Sequence, residues 1–174
     1  NRSLDPNGGA LVWIDANSVI QNCTIANNYG GQTGSGLLLI NSDPDISNSI
    51  IWDNYPMDLY ADPNSDPHIS YTKMPSLWPD PLSSIIYSDF AMTGYWGDIN
   101  EPNRPVEPND VNALWIPGDY HLLSEGGRWD SATQTWIQDS LTSLCIDAGA
   151  PYSPVGAEPS PNGGQINSGA YGGT

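Results

Sequence analysis

The 174-residue, 18.7 kDa chain carries 20 Asp and Glu against 4 Lys and Arg, a formal charge of −16. That sign repels phosphate backbones and anionic lipid headgroups, which excludes nucleic acid and membrane surfaces as partners. Gly 18 and Pro 16 leave little room for long helices, whereas Trp 7, Tyr 9 and Phe 1 supply enough large rings for a core of one domain's size. The longest apolar runs, Ala10 to Ile14 and Leu37 to Ile40, are far short of a membrane span.

Asn1 to Gly9 is polar and lacks a basic-then-apolar leader, so any secretion signal is expected to have been removed or to lie upstream of Asn1. From Ala10 the pattern changes to short apolar strands, Leu11 to Ile14, Val19-Ile20 and Thr24-Ile25, with Asp, Asn, Ser and Gly breakers spaced too closely for a helix. Gly36 to Tyr55 repeats this pattern at an offset of 26 residues, matching Leu11 with Leu37, Ile14 with Ile40, Ile20 with Ile46, Asn22 with Asn48, Ile25 with Ile51, Asn28 with Asn54 and Tyr29 with Tyr55. Three short strands with polar corners fit one coil of a parallel β-helix, in which like positions stack about 4.8 Å apart. Ile14 over Ile40, Ile20 over Ile46 and Ile25 over Ile51 are then expected inside. Asn22 over Asn48 and Asn28 over Asn54 are expected at corners, because Asn tolerates left-handed backbone and its amide reaches the next coil.

A weaker third coil runs through Leu59-Tyr60 and Ile69 to Thr72, with Asp-Pro turns at Asp62 and Asp66. From Lys73 no periodic copy remains, only stretches such as Met74 to Pro81 and Asn100 to Pro108 that are broken by proline. The reading is all-β: a right-handed parallel β-helix (a solenoid) of about three coils over residues 1–72, with a large irregular Pro/Gly-rich C-terminal capping region over 73–174 packed on the same domain. Cys23 and Cys145 form one disulfide or are two buried small residues, and the second is preferred.

The C-terminal stretches Gly118 to Leu122, Gly127 to Asp130, Thr135 to Asp139, Cys145-Ile146-Asp147-Ala148-Gly149 and Asn162 to Gly173 (NGGQINSGAYGG) resemble the end of a bacterial extracellular family. That family is the right-handed parallel β-helix repeat proteins of the pectin-lyase-like superfamily. Leu144 stands where similar proteins often have proline, and Ala150 where they have aspartate. The resemblance implies the fold and an extracellular or cell-surface location. It leaves activity open, since the superfamily holds polysaccharide lyases and hydrolases as well as non-catalytic adhesins and surface proteins.

A lyase of this fold needs acidic calcium ligands beside an Arg or Lys base. The four cations Arg2, Lys73, Arg104 and Arg128 are scattered, and Arg128 reads as a salt bridge or a partner of Trp129. A glycosidase needs paired carboxylates, yet Asp15 lies over Asn41 and Asp53 over Asn27. His68 and His121 have no nucleophile or metal spacing and read as loop or core residues. No catalytic residue is assigned. Asp62, Asn64 and Asp66 alternate like the first half of a calcium loop but lack its glycine and later glutamate, so two turns are the preferred reading and calcium is the one cofactor considered.

Trp78, Trp96 and Trp115 fall in Pro/Gly-rich segments and are candidates for stacking on sugar, with burial in the cap as the alternative. The first coil has nothing long enough before it to cover its end, so Leu11, Trp13 and Ile14 are the candidate assembly interface. Upstream coils or the end of a second copy would dock there. The sequence thus points to a non-enzymatic extracellular structural protein that assembles end to end into filaments. The alternative is a carbohydrate-active module.

Overall fold

The computed structural model describes residues 2–3, 9–30, 35–74, 90–160 and 162–173. Every element among them is a β-strand, none is a helix, and the chain is all-β. The described residues form two units, one from residues 2–74 together with 144–173 and the other from residues 90–143.

The first unit contains β1 (Leu11–Ile14), β2 (Val19–Gln21), β3 (Thr24–Ala26), β4 (Leu37–Ile40), β5 (Asp45–Ser47), β6 (Ile50–Trp52), β7 (Leu59–Ala61) and β8 (His68–Ser70). They pair in parallel into three sheets, β1-β4-β7, β2-β5-β8 and β3-β6. The register is one residue to one: Leu11 opposes Leu37 and Leu59, Ile20 opposes Ile46 and Ile69, and Ile25 opposes Ile51. The third repeat forms two strands and then only a bridge from Ile50 to Lys73.

Ile20, Ile25, Leu37, Ile46, Ile51 and Met74 make the core, with Trp13, Leu59 and Ile69 packed against it. Ile20/Ile46 and Ile25/Ile51 are inside as expected, but Ile14 is not: it is 58% exposed. Side chains alternate along a strand. In β1 the register turns Leu11 and Trp13 inward with Leu37 and Leu39, which leaves Val12 and Ile14 outward.

The corners follow one rule. Asp15 and Asn41, Asn22, Asn48 and Tyr71, and Asn27 and Asp53 all have φ between 48° and 54°. Asp and Asn enter this left-handed region more readily than other side chains. The next residue turns a side chain along the stack. Ser42 accepts Ala16 N–H (3.2 Å) and Ser65 accepts Ser42 N–H (3.0 Å). At the second corner Ser49 accepts Cys23 N–H (3.2 Å) and Thr72 accepts Ser49 N–H (3.4 Å). At the third, Asn54 accepts from Asn28 N–H and Nδ2 (3.0 and 2.7 Å), and Asp58 accepts from Asn54 N–H and Nδ2 (3.0 and 2.7 Å). At these corners of the first two repeats the N–H is thereby satisfied by the repeat beneath it.

Residues 144–173 run along the second corner and reach all three repeats. Asn48, fully buried, accepts Ala150 N–H at Oδ1 (2.8 Å), donates to Ser153 Oγ (3.1 Å) and accepts Gly169 N–H at its carbonyl (2.7 Å). Thr24 takes Ala170 N–H, and Ser168 donates to the Tyr71 carbonyl. Gly169 has φ +96° and sits where a side chain would strike Ile50 and Thr24, so only glycine fits. Buried Glu158 gathers the segment by accepting Asn167 and Gly173 N–H (both 2.9 Å).

The second unit is three antiparallel pairs: β9 (Phe90–Met92) with β12 (Asp119–Leu122), β10 (Tyr95–Asp98) with β11 (Ala113–Ile116), and β13 (Arg128–Asp130) with β14 (Thr135–Ile137).

Because the buried Asn48 side chain makes two hydrogen bonds to the C-terminal segment, at Ala150 and Ser153, from a left-handed corner, Asn48→Ala is expected to destabilise the chain by about 2–4 kcal/mol in urea unfolding. It should also speed hydrogen exchange of the Ala150 amide more than that of Ile46.

Candidate functional site

β1, β2 and β3 are outermost in their sheets. Leu11, Val12, Ile14 and Val19 are 38%, 44%, 58% and 69% exposed, whereas Leu37 and Leu38 one repeat below are 0% and 2% exposed. Trp13 is half-buried against the core. Of the candidate assembly residues, Ile14 faces outward, while Leu11 and Trp13 lie on the inward face, where Leu11 at the open edge is still 38% exposed. Among the described residues no strand pairs with the outer side of β1 or β2. The third sheet does continue upward, where Ser3 N–H donates to the Tyr29 carbonyl (2.7 Å) and Arg2, Tyr29 and Tyr55 follow one another in parallel bridges. Tyr29 and Tyr55 stack at 5.4 Å with their planes 12° apart.

The corner chemistry changes at this edge. Ala16 stands where the lower repeats have Ser42 and Ser65, and Cys23 where they have Ser49 and Thr72. The first repeat thus offers neither hydroxyl to a layer above it. Cys23 Sγ turns to the Gln21 carbonyl, and no disulfide joins it to Cys145.

Stacked carboxylates in the repeats face amides. Asn41 Nδ2 donates to Asp15 (2.6 Å) and Asn27 Nδ2 to Asp53 (2.7 Å). Asp62 accepts Ser65 Oγ (2.6 Å) and Asn41 N–H (3.0 Å), and these bonds hold its carboxyl below the usual range. Asp66 N–H donates to Asp43. Asp62 and Asp66 accordingly serve turn and inter-repeat hydrogen bonds, with Asn64 in the turn between them. Among the described residues no group of three His, Cys, Asp or Glu is placed to hold a metal ion.

In the second unit Trp96 and Trp115 oppose each other across β10 and β11, half-buried and edge to face at 5.4 Å. Trp78 lies outside the described residues. Arg128 pairs with Asp139 (2.9 Å) and Asp119 (3.5 Å), and His121 Nδ1 meets Asp119 at 2.5 Å. The salt bridge expected of Arg128 is present, with carboxylates of the second unit as its partners. Arg104 pairs with Asp98, whose carboxyl is held low chiefly by Asn100 N–H and then by that guanidinium.

No family model, curated protein or solved structure matches the chain.

Sequence reasoning missed two features of the site. One is the exposed pair Trp129 and Trp136, which the six intervening residues with their polar turn could have marked as a hairpin. The other is Asp58, which ends the third corner. Burial raises the Asp58 carboxyl above the ordinary 3.8, Asn54's hydrogen bonds oppose this, and Asp53 adds repulsion. The folded chain therefore holds this proton more tightly than the unfolded chain. The penalty is absent below the unfolded value and fully in force above the folded one. Asp58→Asn keeps the acceptor for Asn54 and removes the charge. It is expected to raise the melting temperature by a few degrees at pH 7 and to change it little near pH 3, as read by circular dichroism.

Proposed function

We propose that the chain is a non-enzymatic structural part of an extracellular or cell-surface protein. In this reading the stacked repeats form a right-handed parallel β-helix with an irregular C-terminal extension, related to the pectin-lyase-like repeat proteins, and a second copy docks end to end on the outer edge of β1 and β2. The observation that carries the reading is that edge: Leu11 and Val12 are exposed where their register partners Leu37 and Leu38 one repeat below are buried, and exposed Ile14 and Val19 extend the apolar surface beside them. An edge strand is a template for another strand, and its backbone donors and acceptors are recognised without any sequence match. A contact of this kind that does not close on itself propagates as a filament. The commitment of Asp15, Asp53 and Asp62 to amide and hydroxyl partners supports a structural use of the acids.

Copies of charge −16 repel one another, and salt screens that repulsion. Raising sodium chloride is therefore expected to drive the purified chain into filaments with an axial repeat of one molecule, seen by electron microscopy and sedimentation. The double substitution Ile14→Lys with Val19→Lys should prevent this without lowering the melting temperature. Monomers at every salt and protein concentration overturn end-to-end assembly.

A carbohydrate-active module is the second reading, and the paired Trp96 and Trp115 rings favour it. It requires release of reducing or unsaturated sugar from polysaccharide.

A further inference from the structure

Hairpin β13–β14 turns two large rings to solvent. Trp129 and Trp136 stand directly opposite each other, with centroids 6.4 Å apart and planes at 70°, and are 40% and 58% exposed. Alternation along the strands sends the neighbouring positions to the other face. There the Arg128 side chain, only 11% exposed, holds Asp139 and Asp119. At the turn, Asp130 accepts Thr133 N–H (3.0 Å) at its carboxylate and Gln134 N–H (2.8 Å) at its carbonyl. The hairpin is thus fastened from behind and at its tip while the ring face stays open.

The surroundings select the occupant. Each strand has three residues, so the outer face holds this pair alone. Beyond it lie the exposed turn Ser131 to Gln134 on one side and Gly126-Gly127 on the other. Gly127 has φ +109°, and a side chain there would come within 3.8 Å of the Trp136 ring, so glycine leaves that ring edge uncovered. Two ring faces amount to a few hundred Å², well below the roughly 800 Å² that each partner contributes to a stable protein interface. A net charge of −16 disfavours anionic ligands. A ligand with a flat apolar face, a hydroxyl rim and no charge satisfies all three constraints.

We infer that Trp129 and Trp136 form a binding site for an uncharged saccharide. One pyranose face stacks on one indole, and the other indole, set at 70°, forms a side wall. The site binds without cleaving and is independent of strand docking at β1.

The test is calorimetric titration of the full chain with neutral hexasaccharides of glucose, xylose, mannose and N-acetylglucosamine, with hexagalacturonate as the anionic comparator. The expected result is saturable binding of at least one neutral sugar, with shifts in indole N–H resonances confined to Trp129 and Trp136. Because the two rings also brace the hairpin, Trp136→Leu keeps an apolar cross-strand contact and removes the ring. It should weaken binding by about tenfold or more at unchanged melting temperature, whereas Trp136→Tyr should largely retain it. Binding of no neutral sugar, binding of hexagalacturonate alone, or shifts centred on Trp96 and Trp115 each overturn the site. The resonance shifts are read on the unmodified chain, so the inference stays testable even where a variant fails to fold. Titration in low salt keeps the readout separate from assembly.

Discussion

The stacked repeats depend on how the chain turns their corners. A strand that ends without a partner for its next N–H carries a buried or half-buried polar group whose loss costs about 1–3 kcal/mol. The chain meets that constraint in two adjacent positions. The first is Asp or Asn in the left-handed region, which bends the backbone sharply, and the second is Ser, Thr or Asn, whose side chain receives the N–H of the repeat above. The same side chains donate back to the carbonyl two residues earlier, as Ser42 does to Ile40, Ser49 to Ser47 and Thr72 to Ser70. One hydroxyl therefore fixes its own turn and the layer above it, and the inward Ile and Leu columns follow in register. Tyr71 is the departure, since a bulky ring at φ 48° is strained. Its carbonyl accepts Ser168 Oγ and its ring packs edge-on against Tyr152, so the C-terminal segment supports the corner that lacks an Asn.

The acidity of the chain follows from the same economy of polar groups. Aspartate is short enough to accept a nearby backbone N–H, and it does so at Asp98, Asp110, Asp119, Asp130 and Asp139. Such carboxylates satisfy turns that helices or longer strands would otherwise satisfy. Where an N–H or hydroxyl points at the carboxylate its charge is favoured, as at Asp62 and Asp130. Where burial dominates, as at Asp53 and Asp58, the charge is disfavoured. The four cations cannot balance this excess, so intermolecular repulsion is the electrostatic background to any self-contact of the molecule.

The repeats were legible in the sequence because the corners are local and recur at a fixed interval. The third repeat was legible too, although its loops are shorter and its strands pair at a different offset. The inward face of β1 was not. Leu-Val-Trp-Ile is apolar at all four positions, so no alternation of polarity says which residues turn in, and only the pairing with β4 decides it. The course of residues 144–173 was equally hidden, since Asn48 meets Ala150 and Ser153 across 102 and 105 residues. The glycines of the closing motif mark tight backbone approach without naming what is approached. Trp96, Trp115, Trp129 and Trp136 were visible as residues, but their pairing depends on hairpin register, and their exposure depends on which face of each hairpin the unit covers.

Two open apolar surfaces among the described residues, at β1–β2 and at β13–β14, differ in kind, and that difference bears on what each can recognise. At β1 and β2 the outer backbone edge has no strand partner among the described residues: its donors and acceptors match any extended strand, and Leu11, Val12, Ile14 and Val19 add apolar area but little shape. Recognition there is generic, so specificity must come from the corners. The corners in turn lose their hydroxyls at Ala16 and Cys23, which leaves an incoming layer to satisfy its own N–H groups at those two places. At β13–β14 the backbone is already paired and only ring faces are offered, in a fixed mutual geometry and within a polar surround. Recognition there is by shape and surface chemistry, suited to a small rigid ligand. A surface of the first kind grows with concentration and screening, while one of the second kind saturates with ligand, so the two remain physically separable within one chain.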